Sequence, residues 1–210
     1  ARLAQPALNA CLPFVLPEAR PGTRWWWFGS AVDETGLKDN IDALHHVGMG
    51  TVEITPVYGV QGNEAHELSY LSPEWMRALQ ITERTAAADS VEVDLNHGTG
   101  WPFGGPWVPL DEAACKAFFV DTLVNSKADI SKLTFPVPDK EKKYARLAAV
   151  RSFKTADKHR QRVIALFVSR TRQRVKRAAP GGEGWVIDHF DSLAVAHYLQ
   201  HIDSAFTASH

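Results

Sequence analysis

Alternation between β-type and helix-type segments over residues 24–96 constrains the fold of this chain more than any other feature. Short runs rich in aromatic or β-branched residues, at 25–28, 51–55 and 91–95, are separated by segments with helical spacing of apolar residues. Strands that alternate with helices in this way are typical of parallel sheets with right-handed crossovers. The sequence therefore predicts a strand–helix–strand–helix–strand unit.

Both intervening helices carry recognisable end signals. Asp33 is placed to cap the first helix, and Gly48 is placed to end it in a conformation with positive φ. In the second helix, Ser72 is a capping residue followed by Pro73 and by Glu74, an acid in the first turn. These signals support two complete helices between the strands.

The pattern changes after residue 112. Two β-rich runs, 118–124 and 163–168, flank a charged stretch with prolines. Residues 142–177 contain thirteen Lys or Arg and one acid, although the whole chain has a net charge of −1. We expect residues 115–178 to form a mainly β, basic insertion that is exposed or docked on the acidic remainder. Within it, the alternating residues 170–177 favour an exposed or edge-protecting strand over a phosphate-binding one.

The last part of the chain returns to α/β character. Residues 185–187 predict a strand, and residues 191–206 predict a helix with Leu193, Ala196 and Leu199 on its apolar face. The predicted fold class is α/β, a partial (β/α)8 TIM-type barrel with a mainly β insertion. Its parts are an irregular lead-in at 1–23, the first βα units at 24–114, the insertion at 115–178 and the return to the barrel at 179–210. A closed barrel takes about 250 residues, so this chain cannot complete one alone.

Composition excludes some classes of function and leaves others open. A net charge of −1 argues against a nucleic-acid partner, and no apolar run approaches the roughly 20 residues of a membrane span. The start at Ala1, without Met or a signal peptide, is typical of a mature or trimmed chain. Cys11 and Cys115 form either one disulfide or two thiols, so cysteine usage does not fix the compartment.

A Gly/Pro/Trp-rich loop at residues 98–108 is the most distinctive motif. It is not a dinucleotide fingerprint, because Phe103 stands where the third glycine belongs and Pro102 blocks the helix that should follow. The loop follows a strand and presents three aromatic side chains, and sugar rings pack on aromatic planes. Candidate sugar contacts here are Trp101, Phe103 and Trp107, with Asn96 and His97 as hydrogen-bond partners. Packing of these aromatics in the core is the alternative.

Several further residues are candidates for chemistry. Glu53 and Asp94 lie in predicted strands, and a glycosidase needs two carboxylates; the alternative is that each pairs with an arginine or loop amides. Strand alternation allows either Trp26, or Trp25 and Trp27, to face a barrel interior. Asp188 and His189 follow the last predicted strand, where barrel enzymes place their sites. His197 and His201 have the spacing of a zinc-binding helix, but Tyr198 replaces the usual glutamate, so an exposed helical face is favoured.

Four blocks together resemble the family-106 glycoside hydrolases, the α-L-rhamnosidases: residues 24–30, 51–54 with 71–75, 98–108, and 179–189. The resemblance implies a large, calcium-dependent enzyme that removes terminal α-L-rhamnose with inversion. It also implies that two catalytic glutamates lie beyond residue 210, on later barrel strands of the same polypeptide. The residues expected to line the sugar pocket are Trp27, Asn96, His97, Trp101, Trp107, Asp188 and His189.

The resemblance favours a periplasmic or extracellular protein whose partner is a carbohydrate substrate. The alternative function is a non-catalytic carbohydrate-binding or scaffold module, in which the basic insertion contacts an acidic polysaccharide. A full-length open reading frame with further barrel strands favours the enzyme over the module.

Overall fold

The computed structural model describes residues 19–209 and combines a helix-covered parallel sheet with an antiparallel sheet. The parallel part runs β1 (Gly22–Phe28), α1 (Glu34–His46), β2 (Thr51–Val57), α2 (Pro73–Ala88) and β3 (Glu92–Leu95). Its strands lie in the order β1-β2-β3, and both pairings are parallel. The strand–helix–strand–helix–strand prediction is therefore confirmed, in a mixed α/β fold.

The predicted helix ends are confirmed by their hydrogen bonds. The Asp33 side chain accepts from the Gly36 backbone N–H at 2.8 Å, and Gly48 has a φ of +88° just after α1 ends. The Ser72 hydroxyl accepts from the Trp75 N–H at 3.2 Å, with Pro73 as the first helical residue. Such caps satisfy backbone groups that a helix end leaves without partners.

Both helices pack on one face of the parallel sheet. Trp27, Ile54 and Trp75 are at most 1% exposed within one apolar cluster, and a neighbouring cluster joins Ile41 and Val52. Each fully buried aliphatic side chain contributes about 1.5–3 kcal/mol to folding. The core of this unit thus lies between the sheet and its helices, and the opposite face of the sheet carries no helix among residues 19–209.

A three-stranded antiparallel sheet follows. Its strands are β5 (Cys115–Asn125), β6 (Arg146–Lys154) and β7 (Arg160–Arg170), in the order β5-β7-β6. The two predicted β-rich runs lie in β5 and β7, whereas β6 was not predicted. The connection between β5 and β6 covers one face, where Phe135 meets Phe167 with ring centroids 6.2 Å apart. The division of the chain into domains stays a prediction.

Short elements join the two sheets. β4 (Gly104–Gly105) pairs antiparallel with β8 (Trp185–Val186), and α3 (Ser192–Ser209) ends the described chain. Single-turn 3-10 helices occupy Glu64–His66, Leu110–Glu112 and Ile130–Lys132. No helix between residues 19 and 209 has the length and apolarity to cross a bilayer.

Three details differ from the sequence predictions. Residues 171–177 form isolated bridges rather than a strand, because positive φ values at Arg172 and Arg177 interrupt the extended chain. The strand predicted at 185–187 has two residues and pairs antiparallel with β4, so it adds no strand to the parallel sheet. The predicted apolar face of α3 is wrong: Leu193 and Leu199 are 68% and 49% exposed, and the buried residues are Ala194, Tyr198 and Ile202. The irregular lead-in and Cys11, with its pairing to Cys115, lie at least in part outside the described residues.

Candidate functional site

The uncovered face of the parallel sheet, which we call the open face, is lined by alternate residues of β1. Trp26 and Phe28 are 38% and 45% exposed, whereas Trp27 between them is 1% exposed. Successive side chains of a strand point to opposite faces, so Arg24, Trp26 and Phe28 share the open face. This differs from the prediction that Trp27 lines a sugar pocket: its indole packs edge-on against Trp25 and Trp75 on the helix side.

One row across the open face is charged. Arg24, Glu53 and Asp94 are register partners on three adjacent strands, which lie about 4.8 Å apart. The Arg24 Nε donates to Glu53 Oε2 at 2.9 Å and its Nη2 donates to Oε1 at 3.2 Å. The structure therefore brings the two candidate carboxylates together, and Glu53 has the geometry of an arginine partner.

Two aromatic pairs extend the open face toward the carboxyl ends of the strands. Trp26 meets Trp101 of the loop after β3, with ring centroids 5.8 Å apart and planes at 62°. Phe28 meets Tyr58, the residue after β2, at 6.1 Å. Trp101 and Tyr58 are each 41% exposed. A large part of all four rings is thus available for contact with a ligand.

Glycines bring residues 174–184 against the loop after β3. Gly100 has a φ of +61°, and an added Cβ there would overlap the carbonyl oxygen of Lys176. Trp101 and Lys176 exchange backbone hydrogen bonds at 2.9 and 2.8 Å, and the Tyr58 N–H donates to the Arg177 carbonyl at 3.0 Å. Gly100 and Gly104 of the Gly/Pro/Trp motif are therefore required by close backbone contact, and the contact at Gly100 fixes the backbone of Trp101.

Glu67 is a carboxylate that sequence reasoning missed. Its side chain lies against both Gly29 and Gly59, which directly follow Phe28 and Tyr58, and a Cβ at either glycine would collide with it. The Leu68 N–H donates to the Gly29 carbonyl at 3.1 Å, which holds this segment at the end of β1. No local pattern signals Glu67, because its seat depends on two glycines far apart in the sequence.

Of the remaining predicted site residues, Asn96 and His97 lie directly after β3, whereas Trp107 lies in the core. Asn96 is half-buried after β3, while His97 is exposed and its carbonyl accepts from the Tyr198 hydroxyl at 2.8 Å. Burial raises the pKa of Tyr198 to about 12. Trp107 stacks on His201 at 4.3 Å within the helix-side core, where burial lowers the pKa of His201. Trp107 therefore follows the core-packing alternative.

Asp188 and His189 separate from the open face. Asp188 Oδ2 lies 3.9 Å from Arg170 Nη1, in a pocket of about 270 Å³ that also contacts Cys115 and Arg146 of the antiparallel sheet. His189 stacks on Phe103 at 6.3 Å. On the helix nearby, the His197 Nδ1 lies 2.7 Å from Glu112 Oε1. The structure does not bring Asp188 to the aromatic pairs.

Pockets of about 450 and 530 Å³ lie on the helix side, beside Glu34 and Arg77 of α1 and α2. They contain none of the exposed aromatics, so we give greater weight to the open face, where the aromatic and charged groups converge. Between residues 19 and 209 no three His, Cys, Asp or Glu side chains come together as a metal site. Calcium, which the resemblance implies, stays a prediction.

Comparisons with known proteins find a family model, a relative in sequence and a solved structure that are similar to this chain. The model of glycoside hydrolase family 106, described as alpha-L-rhamnosidase, matches residues 16–161. A protein of Formosa agariphila named "Putative beta-glucuronidase" is 24% identical over 137 residues, which is 65% of this chain and 12% of that protein. The solved rhamnosidase of Novosphingobium sp. PP1Y superposes with a TM-score of 0.65 at 12% identity, over 92% of this chain and 37% of that one. The chain thus spans about a third or less of these relatives.

Proposed function

This chain belongs to glycoside hydrolase family 106, and we propose that it forms one wall of the sugar pocket of a glycosidase that removes terminal α-L-rhamnose by inverting hydrolysis. The observation that carries the proposal is the open face. Exposed aromatic planes reach the carboxyl ends of the parallel strands, where barrel enzymes build their sites, and the carboxylates of Glu53 and Asp94 lie on the same face.

The proposal includes a (β/α)8 barrel completed by other parts of the same polypeptide. Three parallel strands in sequential order, with helices on one face only, are the arrangement of the first units of such a barrel. The open face would then be the barrel interior, which explains why a polar and aromatic face is left without a cover. The size of the relatives supports this, because the chain corresponds to 37% of the solved rhamnosidase.

Inverting hydrolysis needs one protonated carboxyl group for the leaving oxygen and one carboxylate that activates water. We propose that the two glutamates come from later strands, because Glu53 is occupied by Arg24. Asp94 has no such arginine partner among the described residues. If one of the catalytic carboxyl groups lies on this chain, Asp94 is therefore a better candidate than Glu53. In this arrangement Trp26 and Trp101 orient the sugar ring. Calcium and an extracellular or periplasmic location belong to the proposal through the family resemblance alone.

Hydrolysis of an aryl α-L-rhamnoside tests the proposal. We expect the full-length polypeptide to release the aryl group and residues 1–210 alone to release none. In the full-length protein, Trp101→Ala should weaken substrate binding by about 1–3 kcal/mol through lost stacking and packing. Phe153→Ala is the matched control, since Phe153 is also about half exposed but lies on β6. Sugar binding by a full-length protein without any hydrolysis would support the non-catalytic module instead.

A further inference from the structure

Two cationic side chains stand beside the exposed aromatics of the open face. Trp101 and Lys176 form an antiparallel bridge, and residues directly opposite in such a pair project to the same side. The Arg177 guanidinium lies over the Tyr58 ring, 5.0 Å from its centroid. Each of the two aromatic pairs therefore has a positive charge at its edge.

Lys176 and Arg177 differ from Arg24, another cation of this surface, in having no counter-charge among the described residues. Arg24 is paired with Glu53, and the Arg174 guanidinium lies over Trp185 at 4.8 Å on a separate bridge. Lys176 and Arg177 are exposed and make no ion pair with any residue between 19 and 209. Their backbones are fixed by hydrogen bonds to Trp101 and Tyr58, so both side chains extend from fixed positions beside the aromatic pairs.

A neutral sugar does not require this arrangement. Its ring faces stack on aromatic planes, and its hydroxyls are satisfied by uncharged or acidic partners, as Asn96 and Asp94 already provide. Cations beside the stacking planes add attraction for a negative group on the ring or on its neighbour, because a guanidinium or ammonium forms charge-assisted hydrogen bonds with carboxylate and sulfate oxygens.

We propose that the surface formed by Tyr58, Trp101, Lys176 and Arg177 binds an anionic sugar residue of a polysaccharide, one that carries a carboxylate or a sulfate ester. The proposal deepens the proposed function, on which it rests for the carbohydrate ligand, by naming the substrate class. It places the recognition of charge at the carboxyl ends of β1 and β2, rather than on the strands of the antiparallel sheet.

Affinity electrophoresis of the full-length polypeptide tests this with four probes: a polyuronate, its carboxyl-reduced form, a sulfated polysaccharide and its desulfated form. The wild type should bind one of the charged probes more tightly than its neutral counterpart, and that probe identifies the anion. Arg177→Met should weaken binding of this probe roughly 10-fold, and Lys176→Met by a similar factor, while leaving the neutral probe unchanged. Tyr58→Ala should weaken both charged and neutral probes, since it removes stacking.

Lys158→Met is the matched control, because Lys158 is an exposed cation in the turn between β6 and β7. It should change binding by no more than about twofold, the effect of a distant, screened charge. Equal effects of Arg177→Met and Lys158→Met, or no preference of the wild type for a charged probe, would overturn the proposal. The outcome is independent of catalysis. A protein that hydrolyses aryl rhamnosides but shows no preference for a charged probe supports the proposed function and contradicts this inference. A protein that prefers a charged probe but hydrolyses no aryl rhamnoside supports this inference and contradicts the proposed function.

Discussion

Among residues 19–209, the parallel sheet and the antiparallel sheet each leave one face uncovered, and the two faces differ in chemistry. The open face of the parallel sheet carries aromatic rings among charged groups. Trp101, in the loop at the carboxyl end of β3, packs against Trp26 on this face. The uncovered face of the antiparallel sheet carries Phe119 and Leu123, 67% and 54% exposed, around the ion pair of Asp121 and Arg162.

The difference indicates two kinds of surface. A face that combines fixed aromatic planes with hydrogen-bonding and charged groups suits a polar ligand such as a sugar. A mostly aliphatic and aromatic sheet face suits contact with another protein surface, because exposed apolar patches usually mark such contacts. Substitutions on the open face should therefore change ligand binding more than the free energy of unfolding. Substitutions on the uncovered face of the antiparallel sheet should change neither quantity in residues 1–210 alone.

The largest loss of stability is expected from a substitution at Gly100, where the loop after β3 contacts the chain that leaves the antiparallel sheet. Gly100→Val would place side-chain atoms against the Lys176 carbonyl and force a β-branched residue to a φ of +61°. Overpacking and the strained backbone together should lower the free energy of unfolding by about 3 kcal/mol or more. Thermal unfolding measures this. Gly36→Ala is the control, because its Cβ would meet Asp33 Oδ1 at an ordinary 3.6 Å; a similar loss in both variants would contradict the close contact.

A smaller effect separates the covered and uncovered faces of the antiparallel sheet. Val163 is 0% exposed, so Val163→Ala should cost about 1.5–3 kcal/mol. Leu123→Ala on the other face should change the stability of residues 1–210 by no more than about 0.5 kcal/mol. Denaturant unfolding of both variants gives the comparison. In the full-length polypeptide, a cost of Leu123→Ala above about 1 kcal/mol would show that another part of the protein covers this face.

The elements predicted from the sequence are those set by local signals. The caps at Asp33 and Ser72 act within one helical turn. The alternation of strand-type and helix-type segments over residues 24–96 is enough to predict the parallel sheet formed by those residues. The face of α3 was not predictable in this way. Tyr198 is buried because its hydroxyl reaches the His97 carbonyl in a distant loop, and this turns Leu193 outward.

The candidate site shows the same limit. Glu53 and Asp94 are predictable because both lie within predicted strands, and Trp101 is predictable because it lies in the loop after β3. Tyr58 had the same signal, since it directly follows β2, and was overlooked. Arg177 and Glu67 were not predictable, because Arg177 is placed by its contact with Tyr58 and Glu67 by its contact with Gly29, both far away along the chain.

Acid should destabilise the antiparallel sheet through Glu141. This carboxylate is 3% exposed, and hydrogen bonds from Lys116 Nζ at 2.6 Å and Ser169 Oγ at 2.7 Å hold its pKa below the usual range. A lowered pKa in the folded state gives stability that is complete above the unfolded value, about 4.3, and is lost as the pH falls through the folded pKa.

Glu141→Gln should therefore lower the unfolding temperature at pH 7 by several degrees and should reduce its dependence on pH below about 4.3. Thermal unfolding between neutral and acidic pH measures both. Asp121→Asn is the control: the Arg162 side chain also lowers the pKa of Asp121, but the pair is exposed and its contribution is screened by solvent. An equal pH dependence in wild type and Glu141→Gln would contradict this role.

The smallest effect on stability should come from Glu53→Gln on the open face. The Arg24–Glu53 pair is 46% and 34% exposed at its side chains, and solvent screening limits such a pair to less than about 1 kcal/mol. The same variant separates the two interpretations of Glu53. As an arginine partner, it should lower kcat of the full-length protein on an aryl rhamnoside by well under about 100-fold, because Arg24 retains an amide oxygen as acceptor. Loss of a catalytic carboxyl group typically costs about 10²–10⁴-fold. Arg24→Met provides the contrast: if Glu53 acts through Arg24, both variants should reduce kcat to a similar, modest extent, whereas a much larger loss for Glu53→Gln alone would make Glu53 a catalytic carboxylate and move the chemistry onto this chain.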